Sequence, residues 1–253
     1  MDKSFYDLES PDEAMCIYLA LHDNLYDKIK EKVIGDVLLK TFRPDGLRAK
    51  KILEIGCGGG IFTKFFIENG AIVTCVDTCE PILEKIKDLY PKANCTHADA
   101  ATVKLEDAGE YDLVFAKDIL EHIEDDRGLL RNMNAHLNKD GLILVSTQNS
   151  FSLNYLIQGG YHKLRGNHNW FGWDPTHVRF YNWITLRQAL TIAGFEPIST
   201  FGSYYFPYRL LADKLGDFFE SKVFCLLELL GIYKVFPLSI TGWNIGVVAK
   251  KNG

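Results

Sequence analysis

Residues 54–60 read Glu-Ile-Gly-Cys-Gly-Gly-Gly, with Gly56, Gly58 and Gly60 at alternate positions. Alternate glycines let a chain turn sharply and let a ligand approach the backbone, and a helix starting behind them offers N–H groups to negative charge. The spacing narrows the choice of ligand. The dinucleotide fingerprint GxGxxG needs a third glycine where this chain has Ile61, and the Gly-Lys-Ser/Thr of a phosphate loop does not occur. A pyrophosphate is therefore not the expected ligand. Asp77, further along, can accept hydrogen bonds from both hydroxyls of a ribose. Asp99, followed by Ala100, can accept a proton from an adenine amino group.

Proton-handling side chains form a second group. His122 follows Glu121 in the run Asp-Ile-Leu-Glu-His, and His177 has Asp174 and Arg179 close in sequence. Imidazole titrates near neutral pH and suits removal of a proton from a hydroxyl. Each histidine also has a structural reading: His122 packing a turn, His177 fixing a loop to the core. Asp118, Glu121 and His122 are chemically adequate ligands for a divalent ion. Adjacent Glu121 and His122 do not share a face of a regular helix, however, so no required metal is expected. Trp170, Phe171 and Trp173 lie in the same loop as His177, where aromatics are costly unless they cover something. Packing on the sheet edge would satisfy them. The other reading makes Trp170 and Trp173, with Asn149, Asp174 and Arg179, the candidate substrate contacts.

Elements that could position these groups alternate along the chain. Apolar residues at helical spacing (Ile17, Leu21, Leu25, Ile29, Ile34) predict a helix over 12–41. Short apolar runs at 51–57, 71–77, 94–99, 111–118 and 141–147 predict strands, and 60–69, 80–89 and 124–138 predict helices between them. That rhythm means βαβ units, a parallel sheet and helices on both faces. Ligands of such sheets bind beyond the carboxyl ends of the strands, where the loop at 54–60, Asp77 and Asp99 would converge. After 147 the rhythm changes. A loop is expected over 159–182, a helix over 184–193, and strands over 195–203 and 243–250. Between these strands lies an apolar insertion, 204–240, with Leu211, Leu215, Phe218 and Phe219 on one helical face. It reads as a packed helical pair, a dimer contact, a cap over the site or a membrane-surface contact.

Taken together, the stretches ILEIGCGGG (52–60), VTCVDTCEPILEKIK (73–87), THADAATV (96–103), YDLVFAKDILEHIED (111–125), DGLILVSTQN (140–149) and DPTHVRFYNWITLRQALTIAGFEP (174–197) resemble a known family. Over residues 50–200 the chain is similar to the class I S-adenosylmethionine-dependent methyltransferases, in particular the small-molecule group that includes the ubiquinone-biosynthesis O-methyltransferases. The resemblance implies an α/β, Rossmann-like seven-stranded sheet, mostly parallel with an antiparallel last strand. It implies an N-terminal helical extension (1–50), a cofactor-binding core (51–203), a helical insertion (204–240) and a last core strand (241–253). It also implies that Glu54, Gly56, Cys57, Gly58 and Gly60 line the methionine part of S-adenosylmethionine, that Asp77 binds the ribose with Thr78 beside it, and that Asp99 and Ala100 meet the adenine. Lys117 and Asp118 would lie near the sulfonium, with the Lys117 ammonium expected to turn away from that positive centre.

Composition removes other classes. The chain has 253 residues, 47% hydrophobic and 24% charged, in the globular range. A net charge of −5, with no basic stripe, disfavours a nucleic-acid partner. Six cysteines without a CxxC pair are expected to be reduced small hydrophobes. The acidic first residues lack the apolar core of a secretory leader, and no run is long and apolar enough to span a bilayer, so a cytoplasmic monomer or homodimer is expected. The reaction expected is methyl transfer to a small-molecule acceptor, at a hydroxyl, with His177 as base and His122 as its rival. Transfer to nitrogen or carbon, or a non-catalytic cofactor-binding scaffold, are the alternatives.

Overall fold

The computed structural model describes residues 25–105, 108–167, 176–203 and 235–252, together with 11, 12, 15, 16 and 205. Along them run α1 (Leu25–Thr41), β1 (Lys51–Ile55), α2 (Ile61–Glu68), β2 (Ile72–Asp77), α3 (Glu80–Leu89), β3 (Asn94–His97), β4 (Tyr111–Lys117), α4 (Asp126–His136), β5 (Leu137–Gln148), α5 (Leu153–Leu164), α6 (Trp183–Ile192), β6 (Phe195–Ser203) and β7 (Asn244–Lys251). The strands form one sheet in the order β3-β2-β1-β4-β5-β7-β6. The pairs from β3 to β5 are parallel, and β7 runs antiparallel to both of its neighbours. This is the expected Rossmann-like architecture, six strands in one direction and the last reversed.

Side chains that alternate along the strands build two apolar layers. On one face Ile52, Val73, Cys75, Leu113, Phe115 and Leu144 meet α1, α2 and α3 through residues such as Ile34, Phe66 and Ile86. On the other, Leu53, Val76, Val114, Ile143 and Val145 meet α4 and α6 through Leu129, Met133, Leu186 and Leu190. Side chains close the helix starts: Asp125 accepts from the Gly128 N–H, and Asn182 with Thr185 forms a capping box on α6. No helix among the described residues is long and apolar enough to cross a membrane.

Two expectations change. The Lys-Asp-Gly run at 139–141 reads as a helix end, but α4 stops at His136 and β5 starts at once. The turn is extruded from within β5: Leu137 pairs with Tyr111, and Leu142 with Leu113. The loop expected over 159–182 begins instead inside a helix, α5, which starts well before it at Leu153. Ser152 caps that helix by accepting from the Tyr155 N–H, and this favourable start outweighs the helix-weakening pair Gly159 and Gly160. Most of the insertion, 206–234, lies outside the described residues, as do Trp170, Trp173 and Asp174.

Phe115, 1% exposed at the sheet centre, has its ring centroid 4.7 Å from that of Phe62 and 5.3 Å from that of Phe66. Phe115→Ala leaves a cavity under the glycine loop and is expected to cost about 3–5 kcal/mol of stability in urea denaturation. A loss below about 1 kcal/mol would show that this layer is loosely packed.

Candidate active site

The glycine loop leaves the sheet at the end of β1. Gly56 carries the β1–β2 ladder one step further by donating to the Val76 carbonyl at 2.8 Å, and the Gly60 N–H donates to the Cys57 carbonyl at 2.9 Å, closing the turn into α2. Gly56, Gly58 and Gly60 all have positive φ (69°, 47° and 75°), where only glycine is unstrained. Space is also short: a Cβ on Gly56 would stand 2.1 Å from Ile119 Cδ1, and one on Gly60 2.3 Å from Ile86 Cδ1.

Asp77, at the end of β2, holds this loop. One carboxylate oxygen accepts from the Gly58 N–H at 3.1 Å, and the other from the Cys79 N–H at 3.0 Å. The first oxygen also meets the weak Cys57 thiol donor at 3.9 Å, and the second keeps a lone pair for a ligand hydroxyl. Thr78 is exposed beside it, its carbonyl 3.0 Å from His97 Nε2. The loop after β3 is fixed by Asp99, whose carboxylate accepts from the Ala101 N–H at 2.8 Å, and by Asn132 of α4, which donates to the carbonyls of Ala100 and Val103.

A cavity of about 730 Å³ runs from this loop past the ends of β2, β3 and β4. Of the expected cofactor contacts, Glu54, Gly56, Cys57, Gly58, Asp77, Thr78, Asp99, Ala100, Lys117 and Asp118 line it, and Gly60 sits behind at the helix start. His122 and His177 line it too. Asn149 and Arg179 are not among the lining residues. Asn149 is buried, its amide donating to the carbonyls of Ile240 (2.9 Å) and Gly242 (2.7 Å). Arg179 pairs with Asp126 at 2.6 Å, and the same carboxylate accepts from the Tyr181 hydroxyl at 2.5 Å. Both residues fasten chain segments together, a role that sequence position alone did not distinguish from substrate contact.

The buried charges are organised from α1. Lys30, with its side chain 4% exposed, lies 3.0 Å from Asp27 and 2.6 Å from Asp118, and Lys117 approaches the same Asp118 oxygen at 3.3 Å. The other Asp118 oxygen accepts from the Asn244 amide at 3.1 Å. These contacts hold Asp118 in the left-handed region, φ 55°, which a side chain other than glycine adopts at a cost. Burial alone would raise the Asp118 pKa, but the two lysines outweigh it and keep the carboxyl well below its ordinary range. Lys117, expected to turn its ammonium away, remains in the cavity wall with its charge met by Asp118. Glu54 has no such partner. Burial pushes its pKa up to about 8, although the Thr63 hydroxyl donates to it at 2.6 Å. Glu121 is driven the same way by burial and by the nearby charge of Asp118. Neither of its oxygens accepts a well-formed hydrogen bond, and the Thr147 hydroxyl only eases the effect.

The short 3-10 turn Leu120–His122 and the segment at 176–179 lie side by side. Val178 N–H donates to the Glu121 carbonyl at 2.8 Å, the Thr176 hydroxyl is 2.9 Å from His122 Nδ1, and Arg179 reaches the Glu124 carbonyl. The rings of His122 and His177 are consequently 4.7 Å apart, edge to face, with His177 6% exposed. One oxygen of Glu121 and one nitrogen from each histidine all lie within 4.8 Å of one another. The reason given against convergence, a regular helix, does not apply to this tight turn. Together the three side chains can take up a proton or hold a divalent cation.

Comparison with known proteins agrees with this geometry. A family model described as a methyltransferase domain matches residues 26–200. The ubiquinone biosynthesis O-methyltransferase of Idiomarina loihiensis is 30% identical over 186 residues, covering 68% of this chain and 73% of that protein. The enzyme of the same name from Bordetella avium is 30% identical over 182 residues, covering 68% and 72%. Among solved structures, an S-adenosylmethionine dependent methyltransferase from Mesorhizobium loti shares the fold with a TM-score of 0.55 at 20% identity, covering 84% of this chain and 95% of the other. Magnesium protoporphyrin IX methyltransferase from Synechocystis PCC 6803 gives 0.62 at 14%, covering 90% and 86%. The fold and the glycine-carboxylate cavity define a nucleoside-binding α/β enzyme. The chain belongs to the methyltransferase-domain family, as an S-adenosylmethionine-dependent methyltransferase.

Asp27 and Lys30 line the cavity without having been singled out in the sequence, as do Gln148 and Thr176. A signal for the first two existed. They continue the i, i+3, i+7 stripe that ends in Ile34 and Leu38, so two charges occupy the core-facing side of α1.

Glu54 retains its proton to about pH 8, against 4.5 for the ordinary carboxyl. Unfolding between those values releases a proton, so rising pH favours the unfolded chain. The group's contribution is full below the unfolded pKa and is lost as pH climbs toward the folded one, by up to about 1.4 kcal/mol per unit. Glu54→Gln removes this dependence. Urea denaturation between about pH 5 and 8 should then show a shallower decline than wild type, the remainder coming from Glu121. An unchanged slope would mean that Glu54 ionises as in water.

Proposed function

We propose that this methyltransferase transfers its methyl group to a hydroxyl oxygen of a small molecule, with His177 as general base. The observation that carries the reading is the pair of imidazoles, 4.7 Å apart in the wall of the same cavity as the glycine loop, with a carboxylate beside them. S-adenosylmethionine supplies an already activated methyl group on sulfur. What remains for the protein is to hold the acceptor in line, exclude water and remove the hydroxyl proton. His177 is buried and stacks edge to face on His122 and on Phe180, which limits its rotation. Glu121 has a carboxyl oxygen within 4.8 Å of a nitrogen of each imidazole, so it stands beside the proposed base without a hydrogen bond to it. The naming of the relatives as O-methyltransferases supports an oxygen acceptor.

In this reading Gly56, Cys57, Gly58 and Gly60 cradle the methionine end of the cofactor, with Glu54 behind them. Asp77 takes the ribose hydroxyls beside Thr78, and Asp99 with Ala100 takes the adenine. Lys117 and Asp118 stand near the sulfonium. The carboxylate of Asp118 offsets the repulsion that a bare Lys117 ammonium would exert on that centre. Asp77→Asn should weaken S-adenosylmethionine binding by about 1.5–3 kcal/mol in calorimetry, because it loses charge-assisted hydrogen bonds. Equal affinities for the two proteins would remove Asp77 from the site.

The same cluster supports a second reading, in which Glu121, His122 and His177 hold a divalent cation that polarises the acceptor oxygen. One set of measurements separates the two. Under the base reading, His177→Ala lowers kcat by about 10²–10⁴-fold with cofactor affinity unchanged, His177→Gln is no better, and a chelator has no effect. Activity abolished by chelation and restored by magnesium would replace that reading with the metal one. Normal turnover by His177→Ala would pass the base role to His122.

A further inference from the structure

Helix α5 has its polarity inverted relative to an ordinary surface helix. Its inward positions include Tyr155, Gln158, Gly159 and His162, with Tyr155 packed on Phe180 at 5.0 Å between ring centroids. Beside exposed Gly160 and Lys163, its outward side carries an apolar stripe: Leu153, Leu156 and Ile157 are each more than two-fifths exposed, as is Tyr161, and Leu164 is 90% exposed. Phe151, just before the cap, is 49% exposed. The Ser152 cap and the hydrogen bond from Phe151 N–H to the Asn149 side chain fix the start of this helix, so the arrangement is not a frayed end. Charge is equally one-sided. Residues 151–167 contain Lys163 and Arg165 and no Asp or Glu, in a chain whose net charge is −5. The Arg165 guanidinium rests 5.0 Å from the centroid of the Tyr161 ring, at the cationic end of the stripe.

We infer that α5 is a docking surface for an anionic lipid bilayer, on which the helix lies flat with its apolar stripe at the acyl boundary and Lys163 and Arg165 among the headgroups. Twelve residues of helix extend about 18 Å, too short to span a membrane and long enough to lie in its interface. An amphipathic ring such as Tyr161, beside long cationic side chains that can snorkel, suits that boundary. A locally cationic, acid-free segment on an acidic protein is complementary to negative headgroups and would orient the molecule on approach. The inference does not depend on which atom is methylated.

The test uses the full chain and vesicles of phosphatidylcholine with or without phosphatidylglycerol, read by co-sedimentation. Wild type should sediment with the anionic vesicles and release as salt is raised. The double variant Leu156→Glu with Ile157→Glu, and separately Lys163→Glu with Arg165→Glu, should each lower partitioning by about tenfold or more. Cofactor affinity and thermal melting of both variants should match wild type, which shows that the fold is intact. Wild type left in the supernatant with anionic vesicles overturns the inference, as does binding that neither variant weakens. A dimer seen by light scattering that Leu156→Glu with Ile157→Glu dissolves, in protein that ignores vesicles, assigns the stripe to a second copy of this chain instead.

Discussion

The cavity depends on the register in which β1, β2 and β4 pair. Ile55 stands opposite Val76 on one side and Ala116 on the other, so the three strands stop level with one another. The next residue on each lines the cavity: Gly56, Asp77 and Lys117. β3 and β5 keep the same level, with His97 opposite Asp77 and Ser146 opposite Lys117. Parallel strands leave every carboxyl end at one edge, and the turns that follow must all leave over it. A slip of one residue would turn the core face outward and would also move Asp77 off the Gly58 N–H.

Three carboxyl groups at this edge, those of Glu54, Asp118 and Glu121, reach two different protonation states by position alone. Asp118 receives Lys30 from α1 and Lys117 from its own strand, and stays charged. Glu54 and Glu121 receive no such cation at short range, and burial drives them toward the neutral form. This part of the wall is thus acidic in composition, and its two lysines are met by Asp27 and Asp118. Helix α1 consequently lines the cavity as well as supporting the sheet. Ile29, Val33 and Leu38 dock it on the sheet, while Asp27 and Lys30 enter the cavity wall.

The sequence was most informative where one local rule acts alone. Short apolar runs such as KILEI and YDLVFAK, and glycine at every second place of 56–60, each have a single physical reading, and strands and helices fall within a few residues of it. It was least informative where the answer depends on what lies across space. His177 and His122 are far apart in the chain and meet because Val178 bonds to Glu121. Asn149 and Arg179 likewise meet their partners, Gly242 and Asp126, only across space. Lys-Asp-Gly at 139–141 is a turn as read, but one extruded from a strand rather than placed before it. Helix α5 escaped because its apolar stripe faces outward and two glycines sit in its middle. The charges at Asp27 and Lys30 escaped because a stripe of helical spacing was read for its apolar members only.

The sheet order also bears on the sequence of events during synthesis. β7 lies between β5 and β6, so β6 leaves the ribosome before the strand that joins it to the rest exists. Until residues 244–251 follow, the five strands from β3 to β5 can pair among themselves, whereas β6 and one edge of β5 remain open to the wrong partners. The late strand also brings Asn244 to Asp118. The nascent protein therefore has the strands that lead to Gly56, Asp77 and Asp99 while Asp118 still lacks its bond from Asn244, and the period between those two moments is when a chaperone would matter most.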